Sequence, residues 1–184
     1  MRTADELSKW QKYMTLDEIK EMKRIAKLSV QNGVTPVFIN IGAGAGTSTF
    51  AMLEAVPNCV VFSIDLRTND GEEYTNEHLR LKGSHIDYQM RVKRIWGDSK
   101  LVGKNWPFKV DMVFVDGDHT REGCEGDILS WIRNIEPTGY ILFHDYGSFF
   151  WGTVKEVVDE FMDGYEKIGL VDTLMVYKCQ LKNT

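Results

Sequence analysis

Five short apolar runs, each closing within two residues on glycine or aspartate, constrain this chain more than any other feature: Val37–Ile41, Val60–Asp65, Val92–Trp96, Val110–Asp116 and Tyr140–Phe143. Runs that are apolar at nearly every position belong to strands covered on both faces, which is the pattern of a parallel sheet. Helical stretches are predicted at Thr47–Ala55, Arg121–Ile135 and Thr153–Met162. Strands alternating with helices imply βαβ units with right-handed crossovers, and so a doubly wound α/β sheet. The alternation breaks at the end. Tyr165–Leu170 and Asp172–Tyr177 are separated by a tight turn, too short for a parallel crossover, so they are expected to pair as an antiparallel hairpin.

Ahead of the first strand, Thr15 with Glu18 three residues on is a capping-box signature. Leu16, Ile19, Met22, Ile25, Ala26 and Ser29 then recur at helical spacing until Asn32-Gly33 stops the helix. A shorter amphipathic piece before it puts Leu7, Trp10 and Met14 on one face. These helices are expected to pack on the main body, with a dimer-forming arm as the alternative. The polar stretch Gly71–Asp87 is assigned to the connection between the second and third strands. The whole chain is read as a single domain, with a helical segment over 1–34 and the sheet-bearing core over 35–184.

Composition narrows the partners. With 22 Lys and Arg against 27 Asp and Glu, the net charge is −5, which argues against a nucleic-acid partner. No run approaches the ~20 apolar residues that span a bilayer, and Asp5, Glu6 and Lys9 stand where a signal peptide needs an apolar stretch. A cytoplasmic protein without membrane association is therefore expected. The three cysteines, Cys59, Cys124 and Cys179, are widely spaced and form no CxxC pair, so neither a disulfide framework nor a thiolate zinc site is indicated.

In open α/β sheets ligands bind beyond the carboxyl ends of the strands, where strand order reverses, so the residues just past each run carry the chemistry. After the first run comes Gly42-Ala43-Gly44-Ala45-Gly46-Thr47-Ser48. Its glycines allow a tight turn and close backbone approach, and the Thr47 and Ser48 hydroxyls at a helix start suit a carboxylate or phosphate. Asp65 closes the second run about 20 residues on, where an acid accepts from both hydroxyls of a ribose. Asp98 and Ser99 follow the third run, with Asp98 placed to accept from an adenine amino group. Together these describe a site for an adenosine-bearing ligand. Asp116-Gly117-Asp118-His119 follows the fourth run and His144-Asp145 the fifth. Clustered hard oxygen ligands suit Mg²⁺ or Mn²⁺, one histidine can complete the shell, and another can serve as a base near neutral pH. Asp118 is placed in solvent or against His119. Of the 20 Asp, Glu, Lys and Arg side chains beyond residue 109, 14 are acidic, so some of that acidity is expected to be metal ligation.

With these motifs in view, the chain resembles the class I S-adenosylmethionine-dependent methyltransferases, and more narrowly methyltransferase family 24, related to macrocin O-methyltransferase and cephalosporin hydroxylase-like proteins. The resemblance is carried by FINIGAGAGTST, FSIDL, WGDS, DMVFVDGDHTREGCEGDILSW and GYILFHDY, in the family's order and spacing. It implies a Rossmann-like, seven-stranded, mostly parallel sheet whose last strand is antiparallel. It also implies S-adenosylmethionine held by the loop of Gly42, Gly44 and Gly46 with Asp65 and Asp98, and a position for Asn40 where the family usually has an acid. In related catechol-type O-methyltransferases acids after the fourth and fifth strands hold a divalent metal. Mapped here these are Asp116 and Asp145, with His144 adjacent and His119 in place of the usual basic lysine. The expected activity is metal-assisted O-methylation of a small-molecule hydroxyl, in a chain that forms a homo-oligomer if the acceptor is recognised across subunits. A nicotinamide-dependent oxidoreductase and a non-catalytic adenosyl-ligand binder are the alternative readings.

Overall fold

The computed structural model describes residues 3–11, 13–31, 33–66, 77 and 80–181. Seven strands form one sheet: β1 Val37–Ile41, β2 Val60–Asp65, β3 Val92–Trp96, β4 Val110–Val115, β5 Ile135–Phe143, β6 Tyr165–Val171 and β7 Leu174–Leu181. Their order is β3-β2-β1-β4-β5-β7-β6. β1 pairs in parallel with both β2 and β4, while β7 is antiparallel to β5 and to β6. The expected doubly wound sheet with a reversed final strand is therefore observed.

The apolar runs are explained by burial on both faces. On β1 and β4, Phe38, Met112 and Phe114 point into a core shared with α2 (Leu16–Leu28) and α3 (Thr47–Ala55). Ile39, Ile41, Val113 and Val115 point to the other side, into a core shared with α6 (Arg121–Trp131) and α7 (Gly152–Phe161). Three further helices complete the order: α1 Ala4–Gln11, α4 Ile86–Arg91 and α5 Ser99–Lys104. In α2 the capping box forms as its sequence predicts, with Ile19, Met22, Ile25 and Ala26 buried. Met14 is buried beyond the end of α1, whereas the side chains of Leu7 and Trp10 lie outside the described residues.

Local boundaries differ from the sequence reading for identifiable reasons. α6 ends at Trp131, whose indole N–H donates to the Ser99 carbonyl at 3.1 Å, and a 3₁₀ turn, Ile132–Asn134, leads into β5. β5 begins at Ile135 rather than Tyr140, because an irregularity between Val110 and Met112 absorbs the Glu136–Gly139 segment, where Pro137 has no N–H to donate to a ladder. Asp172 belongs to the turn of the final hairpin, not to the strand, with a left-handed φ of 50°. Helices α4 and α5 stand where the sequence pattern showed no periodicity, being six residues each and largely unburied. Within Gly71–Asp87, residues 71–76, 78 and 79 lie outside the described residues; residues 77 and 80–82 are helical. Among the described residues no helix is long and apolar enough to cross a membrane.

Candidate active site at the strand ends

Strand order reverses between β1 and β4, and the loops leaving these two strands meet there. A Cβ added to Gly42 would stand 1.9 Å from the Asp116 carbonyl oxygen, so the loop lies directly on the backbone of the fourth strand end. Gly42, Gly44 and Gly46 adopt φ of 84°, 43° and 84°, the left-handed region that glycine enters without strain. Asp65 fixes this loop from the neighbouring strand, its Oδ2 accepting from the amides of Ala43 at 2.8 Å and Gly44 at 3.2 Å. Beyond it α3 starts on Gly46 with no side-chain cap, which leaves the amides of its first turn directed outward. Thr47 and Ser48 line the cavity that opens there, and the Thr47 hydroxyl is buried without a hydrogen-bond partner in the described structure. An orphaned donor at an uncapped helix start fits a ligand carboxylate or phosphate.

The cavity encloses about 700 Å³ and runs from the glycine loop past Asp65, Asp98 and Ser99 to Asp116, His119, His144 and Asp145. All the residues expected to bind cofactor or metal line it except Asn40 and Gly46. Asn40 is fully buried beneath the loop, where its Nδ2 donates to Thr49 Oγ1 at 2.9 Å. Thr49 and Ser63 in turn donate to Glu77 Oε1 at 2.5 and 2.9 Å. Burial raises the Glu77 carboxyl above its ordinary range, the two hydroxyls opposing it. A carboxylate from the β2–β3 connection thus supports the loop from below, next to an uncharged Asn40. Nothing in the run around Glu77 distinguishes it in sequence, because the contact is made across 28 residues.

Asp98 caps α5, accepting from the Lys100 amide at 2.9 Å. The Ser99 hydroxyl donates to Asp127, which has no assigned role in the sequence motifs. Asp127 lies on the buried stripe of α6 with Cys124, Ile128 and Trp131, and an acid at that position is the signal that marks it. Burial pushes its carboxyl up to about 6, against the opposing Ser99 hydrogen bond and the charge of Lys100. An aspartate in the unfolded chain ionises near 3.8, so the stability that the protonated form confers is lost as pH rises from about 4 to 6, and the full cost is present above that. Two pKa units correspond to roughly 3 kcal/mol. Asp127→Asn, which keeps an acceptor for Ser99, is expected to raise the melting temperature at pH 8 and leave it unchanged at pH 4. Thermal denaturation at the two pH values measures this, and a fall at pH 8 would show that the ionised carboxylate is stabilising.

Asp116 continues β4, its amide donating to the Ile41 carbonyl at 3.0 Å, and His144 continues β5, its amide donating to the Val115 carbonyl at 3.1 Å. The sheet register therefore brings the two strand ends side by side. Asp145 follows in the left-handed region with φ 57°, which aspartate tolerates better than most residues. One ligand atom from each of Asp116, His144 and Asp145 lies within 4.8 Å of the others. Two carboxylates and an imidazole at this separation fit a small hard divalent cation. Asp118 is not among them. It accepts from the Thr120 amide at 2.9 Å at the start of α6, and that bond, ahead of the opposing burial, draws its carboxyl below the ordinary range.

His119 closes the group. Its Nε2 stands 3.1 Å from Asp145 Oδ2 and 3.5 Å from Asp116 Oδ1, and these acids raise the imidazole to about 9. Its ring stacks on Trp151, centroids 4.6 Å apart and planes 18° apart. Phe149 and Phe150 beside Trp151 are largely exposed. His144 Nδ1 stands 3.1 Å from Asp116 Oδ1 and 3.5 Å from Asp145 Oδ2. Burial opposes its charge, but the surrounding carboxylates outweigh that and push it up to about 12. Asp145, where burial is likewise outweighed by the two imidazoles, is held well below the usual carboxylate range.

Comparisons with known proteins agree with this fold. Residues 39–146, more than half of the chain, match the family 24 model described as a methyltransferase domain. An uncharacterized protein of Acanthamoeba polyphaga mimivirus is 25% identical over 120 residues, covering 62% of this chain and 53% of the viral protein, so the chain spans about half the length of that relative. Among solved structures, an SAH-bound Podospora anserina methyltransferase superposes with a TM-score of 0.70 at 15% identity, covering 98% of this chain and 86% of that one. The O-methyltransferase NovP gives 0.66 at 16%, with coverage of 91% and 81%. CalS11, a TDP-rhamnose 3'-O-methyltransferase, gives 0.67 at 11%, with coverage of 88% and 78%. At these identities the structural likeness speaks for the fold, and the family match speaks for descent. A reversed final strand on a doubly wound sheet, a glycine loop seated at its switch point and the match over residues 39–146 together make this chain a member of the class I S-adenosylmethionine-dependent methyltransferases, family 24.

Proposed function

We propose that this protein transfers a methyl group from S-adenosylmethionine to a hydroxyl of a small molecule, with a divalent metal held by Asp116, His144 and Asp145. The observation that carries this reading is the meeting of that Asp-His-Asp group with the glycine loop in one cavity. In the transfer the acceptor O–H loses its proton, an O–CH₃ bond forms, the S–CH₃ bond breaks and S-adenosylhomocysteine leaves. Rate depends on holding acceptor oxygen, methyl carbon and sulfur in line. A bound divalent ion supplies positive charge that lowers the pKa of a hydroxyl and orients it.

The chain's own residues do the rest. The first-turn amides of α3 with Thr47 and Ser48 receive the carboxylate of the donor's amino-acid arm. Asp65 accepts from the ribose, with Oδ2 already anchoring the loop so that the carboxylate is fixed before the ligand arrives. Asp98 and Ser99 border the adenine. His119 receives the acceptor's proton at Nε2, the stacked Trp151 ring fixing the plane in which that nitrogen lies. Trp151 and its aromatic neighbours form the side from which a small acceptor enters.

Calorimetry with S-adenosylhomocysteine against NAD tests the cofactor half: saturable binding of the first alone is expected, and the reverse would favour the oxidoreductase reading. Turnover over a panel of hydroxyl acceptors, with Mg²⁺ or with EDTA, tests the rest. Asp145→Asn, which keeps the left-handed backbone accessible, is expected to weaken Mn²⁺ binding more than about tenfold by removing a charged ligand. It is also expected to abolish the response of turnover to Mg²⁺. Metal-stimulated turnover that survives Asp145→Asn would sink the metal half of the proposal. Cofactor binding without turnover on any acceptor, whatever the metal, would favour a binding protein.

A further inference from the structure

Glu18 belongs to α2, outside residues 39–146, yet it reaches the far side of the Asp116, His144 and Asp145 group. As the fourth residue of a capping box its usual place is a wet first turn, where one oxygen accepts from the cap amide. Here the side chain is 2% exposed, and each carboxylate oxygen accepts from a donor of Thr15 or Thr173. Oε2 accepts from the Thr15 amide at 2.8 Å and stands 3.4 Å from His144 Nε2. Oε1 accepts from the amide and the hydroxyl of Thr173, in the turn of the final hairpin, at 2.9 and 2.7 Å. A buried carboxylate is expensive unless it is fully paired, and helix capping alone asks for no such burial.

The other half of the contact is equally particular. His144 is 7% exposed, and its Nε2 is shielded from solvent and makes no hydrogen bond among the described residues, with Glu18 Oε2 3.4 Å away. Its Nδ1 faces Asp116 and Asp145. A histidine that presents one nitrogen to a cation needs its other nitrogen held, and a carboxylate is a partner that fixes both the tautomer and the plane of the ring. Glu18 is itself held at three points from two separate elements, the start of α2 and the β6–β7 turn, so it cannot follow the ring if the ring rotates.

We propose that Glu18 is a positioning residue for the metal group: it fixes His144 with Nδ1 turned toward Asp116 and Asp145, making the N-terminal helix a working part of the site. This rests on the metal reading above. The test is Mn²⁺ titration followed by electron paramagnetic resonance on the full chain, with S-adenosylhomocysteine affinity measured in parallel as a check on the fold. Glu18→Gln, which remains compatible with a capping box, is expected to weaken Mn²⁺ binding about 10–100-fold. In an imidazole ¹⁵N spectrum it is also expected to shift the His144 ring signals. Thr15→Ala removes the other half of the same cap, so it is expected to lower the melting temperature by roughly 2–4 °C with Mn²⁺ affinity kept within about threefold. Mn²⁺ affinity unchanged in Glu18→Gln, or lowered as much by Thr15→Ala, would overturn the role for Glu18 while leaving the metal site standing. Absence of Mn²⁺ binding by the unsubstituted chain would overturn both.

Discussion

His119→Gln is expected to lower kcat on a hydroxyl acceptor by about 10²–10⁴-fold, the usual contribution of a positioned base, with S-adenosylhomocysteine affinity unchanged. Glutamine can still hydrogen-bond to Asp145 but cannot take up a proton at neutral pH. The pH profile separates this role from a structural one. With Asp116 and Asp145 unneutralised, His119 holds its proton up to about pH 9. Neutralising the two carboxylates releases the ring toward its ordinary range near 6.5, where an imidazole serves as base close to neutral pH. The rate of the unsubstituted enzyme therefore rises with pH as the ring loses its proton, and that rise disappears in His119→Gln. A variant that keeps both the rate and the rising limb would remove His119 from the chemistry.

Gly42→Ala is expected to destabilise the protein by about 3 kcal/mol or more, since backbone strain and steric overlap act together. The added methyl would meet the Asp116 carbonyl at 1.9 Å and its carbon at 2.6 Å, both backbone atoms that no rotamer change can move. The residue would also have to hold φ 84°. For a chain of this size such a loss corresponds to a melting temperature lower by roughly 6–12 °C, and ligand binding is expected to fail with it, because the glycine loop and Asp116 share that contact. Gly44→Ala provides the contrast. Its position opens onto empty space at φ 43°, so it is expected to cost only about 1–2 kcal/mol of local strain. A folded Gly44→Ala that loses S-adenosylhomocysteine would show that the ligand's approach, rather than the turn, requires glycine there. Equal stability of Gly42→Ala and the unsubstituted chain would contradict the seating of the loop on Asp116.

The architecture was legible because its determinants are local and periodic. Strands buried on both faces must read as unbroken apolar runs, and a hairpin with too few residues for a crossover has one way to pair. The same locality made the strand-end residues recognisable: Gly42 to Gly46, Asp65, Asp98 and Asp116 each follow an apolar run directly. Short elements such as α4 and α5 were not legible, since six residues with little burial leave no period to detect. Nor was the early start of β5, which depends on an irregular register with β4.

By itself the sequence determined the order of the strands and the longer helices, the reversal at the end, the family and the residues that stand at the mouth of the sheet. Only the tertiary structure decided what those residues do to one another. Asp65 is a clamp on the glycine loop as well as a cavity wall, Asn40 lies beneath the site rather than in it, Asp127 receives the Ser99 hydroxyl, and Glu77 enters from a position that no motif marks. Glu18 reads in sequence as a helix cap, and it becomes the partner of His144 because the chain returns 126 residues later to place β5 beside the start of α2. The reason is physical: a helix or strand signal is written in residues a few positions apart, whereas a buried charge is governed by whichever groups the completed fold brings within about 4 Å, where the interaction is strongest and least screened.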